Sequence, residues 1–214
     1  MDEKQKYVHA LSFRFLDRFY DPLIRLFMRE AEFKNRLIQI AQIEPGSRVL
    51  DLGCGTATLT LMIKQQHPSA EVYGIDGDGK IIEIARRKAA RADIDVKLDE
   101  GMAFDLPYED DFFDRVLSSL VIHHLSVEDK RRTLREVRRV LCSKGELHIV
   151  DFGRPRSTYA RLISKVLAHL EPVADNYQGL LTDLMEEAGF EDVQENGTFP
   201  TLFGTLGYLS GTKA

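Results

Sequence analysis

Residues 47–60, SRVLDLGCGTATLT, constrain the fold of this chain more than any other stretch. Arg48, Val49, Leu50 and Leu52 read as a short buried strand, and Asp51, Gly53, Cys54 and Gly55 form an abrupt turn before helical spacing resumes over 56–64. A strand that passes through glycines straight into a helix brings unobstructed backbone N–H groups to a helix N-terminus, where a nucleoside-type ligand can lie against the main chain. Asp51 separates this loop from one that cradles phosphate, because a carboxylate at the strand end repels a pyrophosphate and attracts an ammonium group. The sequence predicts a ligand that is cationic at that end.

The segments that follow alternate. Strands are expected at 71–75 (EVYGI, ending at Asp76), 94–98, 113–118 and 145–150. Helices are expected at 80–91, with Ile81, Ile84 and Ala85 inward, and at 128–141, with Leu134, Val137 and Leu141 inward and Ser126 and Asp129 at capping-box spacing ahead of it. Further helices read at 158–170 and 177–188, the latter stopped by Gly189. A sixth strand then runs over 190–195, Asn196 and Gly197 mark a turn, and a glycine-rich strand over 202–212 closes the chain. Such alternation predicts an α/β, Rossmann-like doubly wound parallel sheet with helices on both faces, whose last two strands run in opposite senses if paired. Upstream, 7–43 carries apolar faces at helical intervals, and Asp21 before Pro22 is a helix-start signal. Two or three helices there would cover a single domain spanning 1–214.

The net charge of −5 argues against a default affinity for nucleic acid or anionic membrane. Arg131, Arg132, Arg135, Arg138 and Arg139 share the helix at 128–141, but Glu128, Asp129 and Glu136 interleave with them, which reads as a solvated face rather than a nucleic-acid stripe. The two cysteines, Cys54 and Cys142, form no CxxC pattern, so neither a disulfide framework nor a zinc site is expected, and a cytoplasmic location fits. No segment offers about eighteen uncharged apolar residues in a row.

In an open parallel sheet the ligand lies over the carboxyl ends of the strands, so strand-end residues are read together: Asp51 to Gly55, Asp76, the loop at 101–105, and 118–124. Asp76 stands a little over twenty residues after the glycine turn, where a carboxylate can accept hydrogen bonds from both hydroxyls of a ribose. With these residues the chain resembles the class I S-adenosylmethionine-dependent methyltransferases, in particular the small-molecule branch that includes the ubiquinone and menaquinone biosynthesis enzymes. The resemblance runs over roughly 44–150 and implies a seven-strand order with an antiparallel last strand. It implies that VLDLGCGT at 49–56 wraps the methionine part of S-adenosyl-L-methionine, with Asp51, Gly53 and Gly55 at its amino acid end, Ser118 near its amino group and Asp76 on its ribose. It also makes 101–119 the adenine loop and fourth strand, with Met102 where the family commonly has an Asp, the backbone N–H of Ala103 still available, and Gly77 where an apolar residue often packs on the base. A weaker grip on adenine is the expectation.

A sulfonium methyl is already activated, so transfer requires an in-line nucleophile at near-attack distance and a base only where the nucleophile must lose a proton. His123, after the fourth strand, is the first candidate for a base or a substrate contact, and Tyr20, on an N-terminal helix, the second. No metal is expected. The acceptor is read as a small, partly hydrophobic molecule. Two other functions share parts of the pattern. A nicotinamide-dependent oxidoreductase would need a third glycine where Thr58 stands, and a non-catalytic cofactor-binding regulator would keep the fold without the chemistry.

Overall fold

The computed structural model describes residues 29–153, 180–202 and 204–214. Its elements are α1 (Glu30–Ile40), β1 (Arg48–Leu52), α2 (Thr58–Gln66), β2 (Glu71–Asp76), α3 (Gly79–Ala92), β3 (Lys97–Glu100), β4 (Phe113–Ser119), a 3₁₀ turn (Ile122–His124), α4 (Val127–Val140), β5 (Leu141–Phe152), α5 (Leu180–Glu187), β6 (Phe190–Thr201) and β7 (Gly204–Lys213). Of the expected helices, those at 158–170 and before residue 29 lie outside the described residues, as does the Asp21–Pro22 helix start.

Seven strands form one sheet in the order β3-β2-β1-β4-β5-β7-β6. Strands β1 to β5 pair in parallel, and β7 runs antiparallel to both β5 and β6. This is the doubly wound arrangement, with one strand reversed near an edge. Alternate residues of each strand feed two cores. Val49, Val72, Leu117 and Val150 pack with Phe33, Leu37 and Ile38 of α1 and with Leu59 and Ile63 of α2. On the other face Leu50, Leu52, Ile75, Val116 and Ile149 pack with Leu134 and Val137 of α4 and with Leu184 and Met185 of α5. The near-continuous burial of β1 follows from this two-sided cover.

Helix starts behave as their chemistry dictates. Ser126 Oγ accepts from the Asp129 N–H at 3.1 Å, and Asp78 accepts from the Lys80 N–H at 2.9 Å. α5 ends at Gly189, whose φ of +87° is left-handed.

Two expectations are corrected. Ile84 does not face inward: it is 49% exposed, because the buried stripe of α3 is Ile82, Ala85 and Ala89, one step round the helix. Asn196 and Gly197 do not end a strand. β6 continues to Thr201, and the dipeptide sits in a bulge where the register against β7 shifts between Glu195 and Thr198. Gly197 at φ +103° absorbs the extra residue, while Arg36 donates to the Asn196 and Thr198 carbonyls at 3.2 and 3.1 Å. The arginines of α4 remain partly exposed, and several are tied to neighbouring segments. Arg131 pairs with Glu187, Arg138 Nε donates to the Gly189 carbonyl, and Arg139 reaches the loop before β4.

Candidate functional site

The carboxyl ends of β1, β2, β3 and β4 meet at the centre of one sheet edge. Gly53 and Gly55 both take left-handed φ, +69° and +53°. At Gly53 a Cβ would lie 2.4 Å from a Val121 methyl, so the turn is pressed against the loop after β4 and only glycine fits. At Gly55 a Cβ would meet no atom within 4 Å, so that backbone faces open space. The Cys54 N–H donates to the Ile75 carbonyl at 2.9 Å, which fastens the turn to the end of β2.

Asp76 organises the next layer. Its Oδ2 accepts from the Gly55 N–H at 2.9 Å and its Oδ1 from the Asp78 N–H at 3.0 Å. A carboxylate has about four lone-pair positions, so two amides leave capacity for two hydroxyls. The Asp76 carbonyl also accepts from Gly101 N–H at 3.0 Å, bringing the loop after β3 alongside. Gly77, between Asp76 and Asp78 in sequence, is half-buried, and Met102 and Ala103 are half-buried in that adjoining loop.

Asp51 and Ser118 are placed differently. Asp51 is 1% exposed, and its Oδ2 accepts the Thr60 hydroxyl at 2.6 Å. Burial pushes its pKa up to about 6, against the Thr60 hydrogen bond and the positive charge of Lys34. Ser118, wholly buried, donates to the Leu52 carbonyl at 3.3 Å. Both side chains therefore brace the turn from beneath. Its neighbour Ser119 carries a buried hydroxyl with no hydrogen-bond partner. Cys54 is 6% exposed, and burial together with the Asp51 and Asp76 carboxylates raises its thiol pKa well above the usual range, which leaves it inert as a nucleophile.

His123 stands in the 3₁₀ turn, 3% exposed, with its Nδ1 2.7 Å from Asp151 Oδ1 and its backbone N–H donating to Asp151 Oδ2 at 3.1 Å. Its ring lies 3.9 Å from that of His124 and meets Phe152 edge-on. Burial alone would raise the Asp151 pKa, but the electrostatic attraction and hydrogen bond of His123 and two backbone N–H groups outweigh it and hold the carboxyl below its usual range. Reading strand ends only as far as β4 missed Asp151. The signal was present, since IVDFG at the end of β5 repeats the apolar-apolar-Asp-apolar-Gly pattern of VLDLG. Tyr20 lies outside the described residues. Among the described residues no group of three or more His, Cys, Asp or Glu could hold a metal ion, and no helix is long and apolar enough to cross a membrane.

The open Gly55 backbone, the spare lone pairs of Asp76 and the unpartnered Ser119 hydroxyl fit a ligand that carries a ribose and further polar groups, as S-adenosylmethionine does. Comparison with known proteins agrees. Residues 49–145 match a family model described as a methyltransferase domain. The chain is 34% identical over 149 residues to a demethylmenaquinone methyltransferase of Thermus thermophilus, covering 69% of this chain and 67% of the relative. It is 26% identical to a protein of the same name from Listeria monocytogenes over 95% of this chain and 97% of the relative. Among solved structures, a SAM-dependent methyltransferase from Aquifex aeolicus superposes with a TM-score of 0.69 at 16% identity, covering 93% of this chain and 97% of that one. The chain belongs to the class I S-adenosylmethionine-dependent methyltransferases and resembles those of menaquinone biosynthesis.

Proposed function

We propose that this methyltransferase acts on a small, partly hydrophobic acceptor that surrenders a proton as it is methylated, within one domain for which residues 1–43 supply helical cover. The observation that carries the assignment of roles is the Asp76 carboxylate, held by amides from the glycine turn and from the start of α3. S-adenosylmethionine, when bound, supplies an electrophilic methyl group. Asp76 takes the ribose hydroxyls. The sheet order is consistent with one direction for the remainder: with the ribose at β2, the base would lie towards β3 and the loop carrying Met102 and Ala103, and the amino acid end towards β1 and β4. There the backbone of Gly53 and Gly55 forms the wall, with Asp51 and Ser118 bracing it from below.

On the acceptor side we assign His123 and Tyr20. The Asp151 carboxylate at His123 Nδ1 and at its backbone N–H holds the imidazole in one orientation, and His123 is the group we assign to take the acceptor's proton. The relatives named demethylmenaquinone methyltransferase make a demethylated menaquinone the first acceptor to test. The test is release of S-adenosylhomocysteine by the purified protein with that quinone, read beside the His123→Ala and Tyr20→Phe variants. Acceptor-dependent release that falls about 10²-fold or more in His123→Ala supports the reading. Unchanged turnover in that variant removes the base, and no turnover despite cofactor binding favours the regulatory alternative.

A further inference from the structure

The loop that joins β3 to β4, residues 101–112, contains no helix or strand, so no backbone ladder fixes its shape. Backbone bonds from Gly101 to Asp76 and from Asp105 to Met102 and the Tyr108 hydroxyl on Asp99 hold parts of it, and side chains of α4 hold its middle. Every N–H of the Arg139 guanidinium is used: Nε donates to Glu136 Oε1 at 2.9 Å, Nη1 to the Tyr108 carbonyl at 2.8 Å and to Asp110 at 2.7 Å, and Nη2 to the Leu106 carbonyl at 3.0 Å and to Glu136 Oε2 at 2.8 Å. Glu136 Oε2 also accepts the Leu106 N–H at 2.9 Å. The Arg139–Glu136 pair thus does for this loop what a neighbouring strand would do, taking one N–H and two carbonyls. One turn before Glu136 on the same helix face, the Arg132 guanidinium lies 4.4 Å from the centre of the Phe104 ring. The far end of the loop is closed by backbone bonds from Asp111 and Phe112 to the last two residues of α4.

We propose that Arg139 and Glu136, assisted by Arg132, are positioning residues for the base-binding side of the cofactor site. They touch no cofactor atom. They hold 104–110 so that Met102 and Ala103, one turn upstream, stand in a fixed place beside Asp76. The inference rests on the reading that the base lies over this loop. It also gives a reason for the arginine-rich composition of α4, and it describes how a loop with Met102 in place of an aspartate is kept in order. An acidic side chain that could bond the base directly is replaced by a backbone whose geometry is set from behind. Hydrogen bonds to charged groups are strong, and the planar guanidinium fork offers five donors in a fixed geometry, against three on a lysine.

Titration of wild-type protein and of Arg139→Met, Arg139→Lys and Glu136→Gln with S-adenosylhomocysteine and with base-free S-ribosylhomocysteine tests the proposal, beside amide hydrogen exchange of each unliganded protein. Arg139→Met is expected to weaken S-adenosylhomocysteine about tenfold or more, the worth of one or two such hydrogen bonds, and to leave the base-free compound within about twofold. Exchange should rise in 101–110 with β1 and β2 unchanged, and Arg139→Lys and Glu136→Gln should fall between. Equal weakening of both ligands, or no weakening of S-adenosylhomocysteine, overturns the proposal. A wild-type protein that binds both ligands equally well would instead contradict the placement of the base itself, and the proposal with it.

Discussion

Burial acts on two aspartates of the same sheet edge with opposite results, because their partners differ. Asp51 is bonded by neutral donors, the Thr60 hydroxyl and the Thr60 backbone N–H, and burial outweighs them and the charge of Lys34: its folded pKa rises to about 6, above an unfolded value of about 3.9. The native state then holds a proton that the unfolded state has released, so stability is greatest below about pH 4 and falls as pH rises through about 6. Asp151, facing His123, has its folded pKa lowered. Its contribution is complete above about pH 3.9 and is lost as pH falls through the depressed value. Urea unfolding of Asp51→Asn against wild type should show the variant gaining relative stability between about pH 4 and 7, by on the order of 2–3 kcal/mol. The deficit of Asp151→Asn should be present at neutral pH and shrink below about pH 4. A pH-independent difference in either case would contradict the assignment.

At the scale of elements, the strand, glycine turn and helix at the centre of the sheet were legible because burial on both faces leaves a run of apolar residues and because the backbone there requires glycine. The inward turn of the Asp51 side chain was not, since it depends on a hydroxyl nine residues away on the next helix. Ile84 failed for a related reason. With apolar residues at 81, 82 and 84, helical spacing fits two stripes, and packing against β3 and the glycine turn selects the one through Ile82. Asn196-Gly197 carries a hairpin signal, yet a left-handed glycine serves a bulge equally well, and the donors that complete it come from Arg36 on α1. Arg36 also stacks 4.7 Å over the Tyr208 ring, whose hydroxyl donates to the Phe33 carbonyl of the same helix. Arg36→Ala should therefore cost about 2–3 kcal/mol in chemical unfolding, two hydrogen bonds and a cation–π contact. A change below about 0.5 kcal/mol would mean that the bulge closes without α1.

Across the whole molecule, the site is a product of strand order. Asp51, Asp76, the 101–106 loop and the turn with His123 come from four separated stretches of sequence, and they meet because β1, β2, β3 and β4 are adjacent and parallel. Asp151 joins them because β5 pairs in parallel with β4. The central claim is that the Asp76 carboxylate, held by two amides, grips the cofactor. Calorimetric titration of wild-type protein and Asp76→Asn with S-adenosylhomocysteine tests it directly. Asparagine keeps the shape but sets an NH₂ against one of two backbone donors and removes the charge that strengthens bonds to the ribose hydroxyls. The predicted result is one site in wild type and affinity lower by about tenfold to a hundredfold in the variant, or roughly 1.5–3 kcal/mol. Equal affinity in the two proteins would contradict the account.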